Sequence, residues 1–155
     1  MGPDLEKAIH ELSLRMRLFR AMQEEDSSED GLTERDLMIL ELLNSRGKLT
    51  VSEVAAAYSN VSFSTISTDI TKLWRDKQML SKTINPKNQR VTVVELTDKG
   101  KEAIEASTKQ RAERYQRLFE AIKATQQEKE ILVRIIERAV MFFDKNFGFG
   151  KITEK

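Results

Sequence analysis

From Leu5 the apolar positions Leu5, Ile9, Leu12, Met16 and Phe19 recur at steps of four, three, four and three, which places them on one stripe of a helix. The acidic, Ser-containing stretch that follows, residues 24–31, reads as a loop, so the stripe has no neighbour in sequence to cover it. A second helix opens where Thr33 and Asp36 stand at capping-box spacing, with Leu37, Leu40 and Leu43 as its apolar face and Gly47 available for positive φ in the turn after it. Thr50-Val51-Ser52-Glu53 is a better capping box, and it opens the short Ala-rich helix VSEVAAAY, whose small side chains let a neighbouring helix come close.

The next helix runs from Ser62 or Ser64 to Lys77, with Ile66, Ile70 and Leu73 on one face and Thr65, Thr68 and Lys72 together on another. Two extended pieces, residues 79–84 and 91–96, flank Asn85-Pro86-Lys87-Asn88-Gln89-Arg90. Pro86 and the two Asn residues favour a turn and VTVVEL favours a strand, which predicts a β-hairpin with a polar, cationic tip. After Thr97 a long helix carries Ile104, Thr108, Arg111, Tyr115, Leu118 and Ile122 at steps of four and three. A break near residues 124–127 precedes a last helix, about residues 128–146, with Leu132, Ile135, Ile136, Ala139, Val140 and Phe143. The tail FGFGKITEK reads as loose beyond its phenylalanines. The predicted fold is mainly α with a small β-hairpin wing: a helix-turn-helix and wing over residues 32–97, flanked by helices over residues 4–24 and 100–146.

At 155 residues the chain has the size of one compact domain with a core of its own. The absence of Cys removes thiol catalysis, thiolate zinc sites and disulfides, and the single His10 argues against a histidine-built metal site. No Gly-rich phosphate loop, nucleophile–base pair or evident carboxylate pair is present, so neither an enzyme nor a cofactor is expected. No apolar run approaches a membrane span and the first residues lack a signal-peptide pattern, which implies a cytoplasmic protein.

The net charge of +1 is a poor guide until it is resolved along the chain. Residues 1–31 carry four basic and eight acidic side chains, residues 32–59 three and four, residues 60–100 seven and four, and residues 101–155 twelve and nine. The predicted helix-and-hairpin segment is therefore basic, which is what phosphate binding requires locally. Ser62, Ser64, Thr65 and Thr68 are short hydroxyl side chains at the start of a helix, able to approach base edges, with Lys72 and Arg75 following for the backbone. Lys82, Lys87 and Arg90 place cations on the hairpin, where they can lie along phosphates or enter a minor groove. The plainer alternative is a solvated polar helix face and a hairpin tip kept soluble by charge. Asp69 runs against a phosphate-facing helix; it pairs with Lys72 or Arg75, or accepts from a cytosine amino group.

In order and in wording, LTERDLMILELL, LTVSEVAAAY, SFSTISTDITKLW and NPKNQRVTVVELTDKG resemble the MarR family of bacterial winged-helix transcription regulators over residues 5–146. The wing is the most specific part, with Arg90 at the position of the family's wing arginine. Asn85 and Asn88 stand where the family usually has Asp, and RDKQML lacks the Gly that commonly follows the reading helix. The resemblance implies a homodimeric repressor on a pseudo-palindromic operator of double-stranded DNA, with Leu5, Ile9, Leu12, Leu132, Ile136, Val140 and Phe143 in the dimer interface. It also implies release by a small-molecule effector, for which Met16, Phe19, Met22, Trp74 and Tyr115 are the candidate lining, although side chains of these types at helical spacing also serve as plain core. A winged-helix module that binds a protein instead of DNA remains the other reading.

Overall fold

The computed structural model describes residues 2, 4–24 and 31–147; the acidic loop at 25–30 and the tail at 148–155 lie outside the described residues. The chain divides into two compact units, Met1–Arg35 and Asp36–Lys155. In the first, α1 (Leu5–Glu24) starts where the Asp4 side chain accepts the Lys7 backbone N–H at 3.1 Å. Its stripe is uncovered in the single chain, with Leu5 at 60%, Ile9 at 56% and Leu12 at 54% exposure.

The second unit carries most of α2 (Glu34–Arg46), then β1 (Leu49–Thr50), α3 (Val51–Ala56), α4 (Phe63–Arg75), β2 (Leu80–Asn85), β3 (Asn88–Leu96), α5 (Asp98–Ala121) and α6 (Gln126–Phe147). Its core is built by Ile39, Leu40 and Leu43 of α2, Val54 of α3, Ile66, Ile70 and Leu73 of α4, and Leu80 and Val94 of the sheet, all fully or almost fully buried. Leu37, expected on the inner face of α2, is half-buried, and Ile39 takes the inner position. The Thr50–Glu53 capping box forms as expected, each partner bonding the other's backbone N–H.

The hairpin is joined by a strand that sequence alone did not suggest. Two residues of β1 pair antiparallel with β3, Leu49 opposite Val94 and Thr50 opposite Val93, giving the order β1-β3-β2. Two residues are too short to show alternation. The tip is also tighter than expected. Asn88 already pairs with Asn85 across the strands, so Gln89 and Arg90 belong to β3 and only Pro86-Lys87 form the turn.

The junction between α4 and β2 does without the expected glycine. Gln78 adopts φ 56°, and its carbonyl accepts the Thr97 hydroxyl at 2.8 Å. Thr97 also caps α5, its Oγ1 accepting the Gly100 N–H at 3.1 Å. Gly100 is obligatory for a different reason: a Cβ there would lie 2.3 Å from the Met79 carbonyl oxygen. One threonine thus ties the end of the reading helix to the start of the following helix, and the glycine lets the two backbones meet.

Beyond its first turns α5 leaves the core, with Gly100, Ala103 and Ile104 its buried residues. A second capping box, Thr125 with Glu128, starts α6 two residues earlier than periodicity suggested. No residue of α6 is buried, and Leu132, Ile136, Val140 and Phe143 stand 38–51% exposed. Among the described residues no helix is long and apolar enough to cross a membrane.

Relieving the left-handed strain with Gln78→Gly is expected to stabilise the fold by about 0.5–1 kcal/mol, read as a rise in chemical-denaturation midpoint. Gly100→Ala is expected to destabilise it by about 1–3 kcal/mol, because the clash is with backbone and cannot relax by a rotamer change.

Candidate nucleic-acid interface

Helical geometry sorts the side chains of α4 into faces. At about 100° per residue, Ser64, Thr68, Thr71 and Arg75 form one straight stripe opposite the buried Ile66, Asp69, Ile70 and Leu73. Ser64, Thr68 and Arg75 are exposed, whereas Thr71 is half-buried. Thr71 was not among the expected residues, although its spacing of three from Thr68 and four from Arg75 was the available signal.

Hydrogen bonding decides what the hydroxyls offer. Ser62 is the N-cap of α4; its Oγ accepts the Thr65 N–H at 3.2 Å and lies 2.7 Å from Thr65 Oγ1. Ser62 therefore holds the helix start as well as standing at the surface, and Thr65 is half-buried beside it. Thr68 donates its proton to the Ser64 carbonyl at 2.8 Å, which leaves oxygen lone pairs to accept and a methyl to pack. Between Ser62 and Ser64 stands Phe63, 55% exposed at the first helical position. Exposure of a large ring there was not legible from helical periodicity, since Phe63 stands three residues before Ile66 and seven before Ile70 and so continues the buried stripe.

Lys72 has a partner on another helix. It sits roughly 80° around the helix from the stripe, and its ammonium is bonded to Asp36 Oδ2 of α2 at 2.5 Å. Asp36 is wholly buried, while the Lys72 side chain keeps 30% exposure. A buried carboxylate needs a cation, so Lys72 fastens α4 to α2 through this bond. Asp69 is buried at 9% exposure rather than turned to a groove, and the Lys72 ammonium goes to Asp36 instead.

On the wing, the two asparagines that stand where the family usually has Asp each accept a backbone N–H. Asn85 Oδ1 accepts the Lys87 N–H at 2.9 Å, and Asn88 Oδ1 accepts the Arg90 N–H at 3.1 Å. Both bonds need only a side-chain oxygen, which amide and carboxylate share. Lys87 and Arg90 are exposed at the tip and on the adjoining strand. Lys82, on β2, turns back toward α4. Its ammonium lies 4.5 Å from the Trp74 ring centroid and 3.4 Å from Thr71 Oγ1. Burial first, and then the nearby Arg75, hold the Lys82 ammonium below the usual lysine range.

Of the expected effector lining, Met16, Phe19 and Met22 belong to the first unit and Trp74 and Tyr115 to the second. The Trp74 ring stands beneath two cations, and Phe19, Met22 and Tyr115 are exposed to 51%, 75% and 46%. Met16 is half-buried on α1. An open groove of about 350 Å³ lies at the α5–α6 corner, lined by Phe119, Ile122, Leu132 and Ile135 among others.

A capped helix with a hydroxyl-and-cation stripe outward, beside a hairpin with a cationic tip, defines a winged helix-turn-helix. The profile of the DeoR-like helix-turn-helix domain matches residues 35–85. No curated protein matches the chain by sequence. Among solved structures, a mutant MarR from E. coli is similar at 18% identity over 90% of this chain and 98% of its own, with a TM-score of 0.66. FabT from Streptococcus pneumoniae, solved in complex with DNA, is similar at 14% identity over 92% and 99%, with a TM-score of 0.64. The adhesin competence repressor AdcR from Streptococcus pyogenes is 28% identical over 89% and 96%, with a TM-score of 0.51. The chain thus contains a DeoR-like helix-turn-helix domain and shares the winged-helix fold of the MarR-type regulators it resembles.

Lys72→Ala is expected to lower stability by about 1–3 kcal/mol, because it strands the Asp36 carboxylate. The salt dependence of DNA binding should stay at its wild-type slope. A slope reduced by about one unit, with stability unchanged, would return Lys72 to the phosphate contacts.

Proposed function

We propose that the protein acts as a homodimer that grips a pseudo-palindromic operator, each protomer placing α4 in a major groove and its wing against the flanking backbone or minor groove. The observation that carries this reading is the outward stripe of α4, where Ser64 and Thr68 stand exposed on a helix whose opposite face is fixed in the core. In this arrangement Ser64, Thr65 and Thr68 read base edges, with Ser62 holding the helix start against the DNA. Phe63 packs against a thymine methyl. Arg75, Lys82 and Lys87 contact phosphates, and Arg90 reaches the minor groove or the backbone beside it.

Dimerisation is supported by the uncovered apolar faces. Leu5, Ile9 and Leu12 on α1 and Leu132, Ile136, Val140 and Phe143 on α6 are exposed in the single chain, and contiguous surfaces of that kind are an aggregation liability unless a partner covers them. Two-fold symmetry then requires half-sites about one helical turn apart. Repression by promoter occlusion and release by a small molecule that prefers one lobe separation complete the proposal; the ligand acts only through its differential affinity for the two arrangements.

Selection of tight binders from a randomised duplex pool tests the central claim. Enrichment of a two-fold symmetric motif is expected, and a folded dimer that enriches nothing would shift weight to a protein partner. On the enriched duplex, Arg90→Ala should weaken binding by about 1–3 kcal/mol per contact while the dimer persists in sedimentation. Lys87→Ala should weaken all sequences alike and reduce the salt slope by about one unit per lost contact; a loss confined to one sequence would contradict its phosphate role.

A further inference from the structure

Arg75 and Lys82 come from different elements, the last turn of α4 and strand β2, yet both stand over one indole. The Arg75 guanidinium carbon is 5.5 Å and the Lys82 ammonium 4.5 Å from the centroid of the Trp74 ring. Thr71 gives its hydroxyl proton to the Ser67 carbonyl and turns its oxygen toward Lys82, 3.4 Å away. Among the described residues no carboxylate pairs with either cation. The contrast with Lys72, one turn earlier and locked to Asp36, is direct.

Two like charges converging without a counter-ion oppose each other, and the depressed Lys82 ammonium reflects its partial burial first and that opposition second. An aromatic face attracts cations through its quadrupole and offsets part of the cost. A polyanion laid across the patch removes the rest. Trp74 is 37% exposed, so it is not simply filling the core, and its place between Leu73 and Arg75 puts it at the flank of the reading stripe.

We propose that Trp74 is a positioning residue for DNA binding: it holds Arg75 and Lys82 together as one cationic unit for the duplex backbone, so that their phosphate contacts are coupled through the ring. This rests on the DNA-binding reading and adds to it a residue that need not touch DNA. Because the unit meets phosphates, its contribution is the same on any sequence.

The test uses the full chain and a fluorescein-labelled mixed-sequence duplex at low salt, with Lys82→Ala, Trp74→Leu, Trp74→Phe and the Trp74→Leu/Lys82→Ala double variant. Trp74→Leu should weaken binding about three- to tenfold, and Trp74→Phe, which keeps a ring, should recover most of the loss. The double variant should bind within about twofold of Lys82→Ala alone, since the ring acts through that cation. Losses that multiply, or a Trp74→Leu protein that binds as the wild type does, would overturn the coupling. Trp74 is the single tryptophan, so wild-type emission reports on the unit without any substitution. Saturating duplex should change that emission, and constant emission with duplex bound would overturn the proposal even if Trp74→Leu fails to fold. A wild-type protein that binds no duplex at low salt would remove the DNA-binding reading and this unit with it, whereas wild-type binding with independent losses removes the unit alone.

Discussion

The burial of Ile66, Ile70 and Leu73 against α2, α3 and the sheet determines how α4 is rolled, and with it everything the surface can do. A helix in water has no preferred face, but three branched apolar side chains inserted into a close-packed core leave it one rotation. Ser64, Thr68, Thr71 and Arg75 are outward because those three are inward. The Asp36–Lys72 pair works on the same degree of freedom: a wholly buried carboxylate on α2 pulls on one flank of α4 and resists its turning. Its contribution is better described as orientation than as stability, since desolvating such a pair consumes much of the attraction it gains.

The wing is positioned by a small set of backbone contacts. Thr97 bonds the Gln78 carbonyl with its hydroxyl proton and the Gly100 N–H with its oxygen, while its own N–H reaches the Met79 carbonyl at 3.1 Å. These bonds join the exit from α4, the root of the hairpin and the start of α5 at one point. Gln78 tolerates its left-handed conformation because that junction over-determines it. The asparagines at the tip show the complementary economy: where only an acceptor oxygen is used, an amide serves as well as an acid, and the loss of formal charge leaves the turn intact.

Electrostatics in this chain is a matter of placement more than of total charge. A net charge of +1 coexists with a surface on which Arg75 and Lys82 share an indole and Lys87 and Arg90 occupy the wing. Phosphates are screened beyond about 10 Å at moderate salt, so they respond to these neighbours and not to acidic residues elsewhere in the chain.

Much of the architecture was legible in the sequence because it is written in local periodicities. Steps of three and four marked the helices, Thr50-Val51-Ser52-Glu53 marked the start of α3, and Pro86 between two asparagines marked the hairpin. The MarR-type wording of the wing added the class. What the sequence could not determine depends on contacts between residues distant along the chain. Lys72 and Arg75 are alike in the sequence as two cations near the end of one helix, and only the arrival of Asp36 beneath one of them ties it to the core. Nothing near Trp74 in the sequence announces that Lys82 comes to rest on its ring from another element. The two-residue β1 exists only because β3 is there to pair with it. Local pattern decides which backbone forms, whereas the partner of a long polar or aromatic side chain is chosen by whatever the fold brings within its reach.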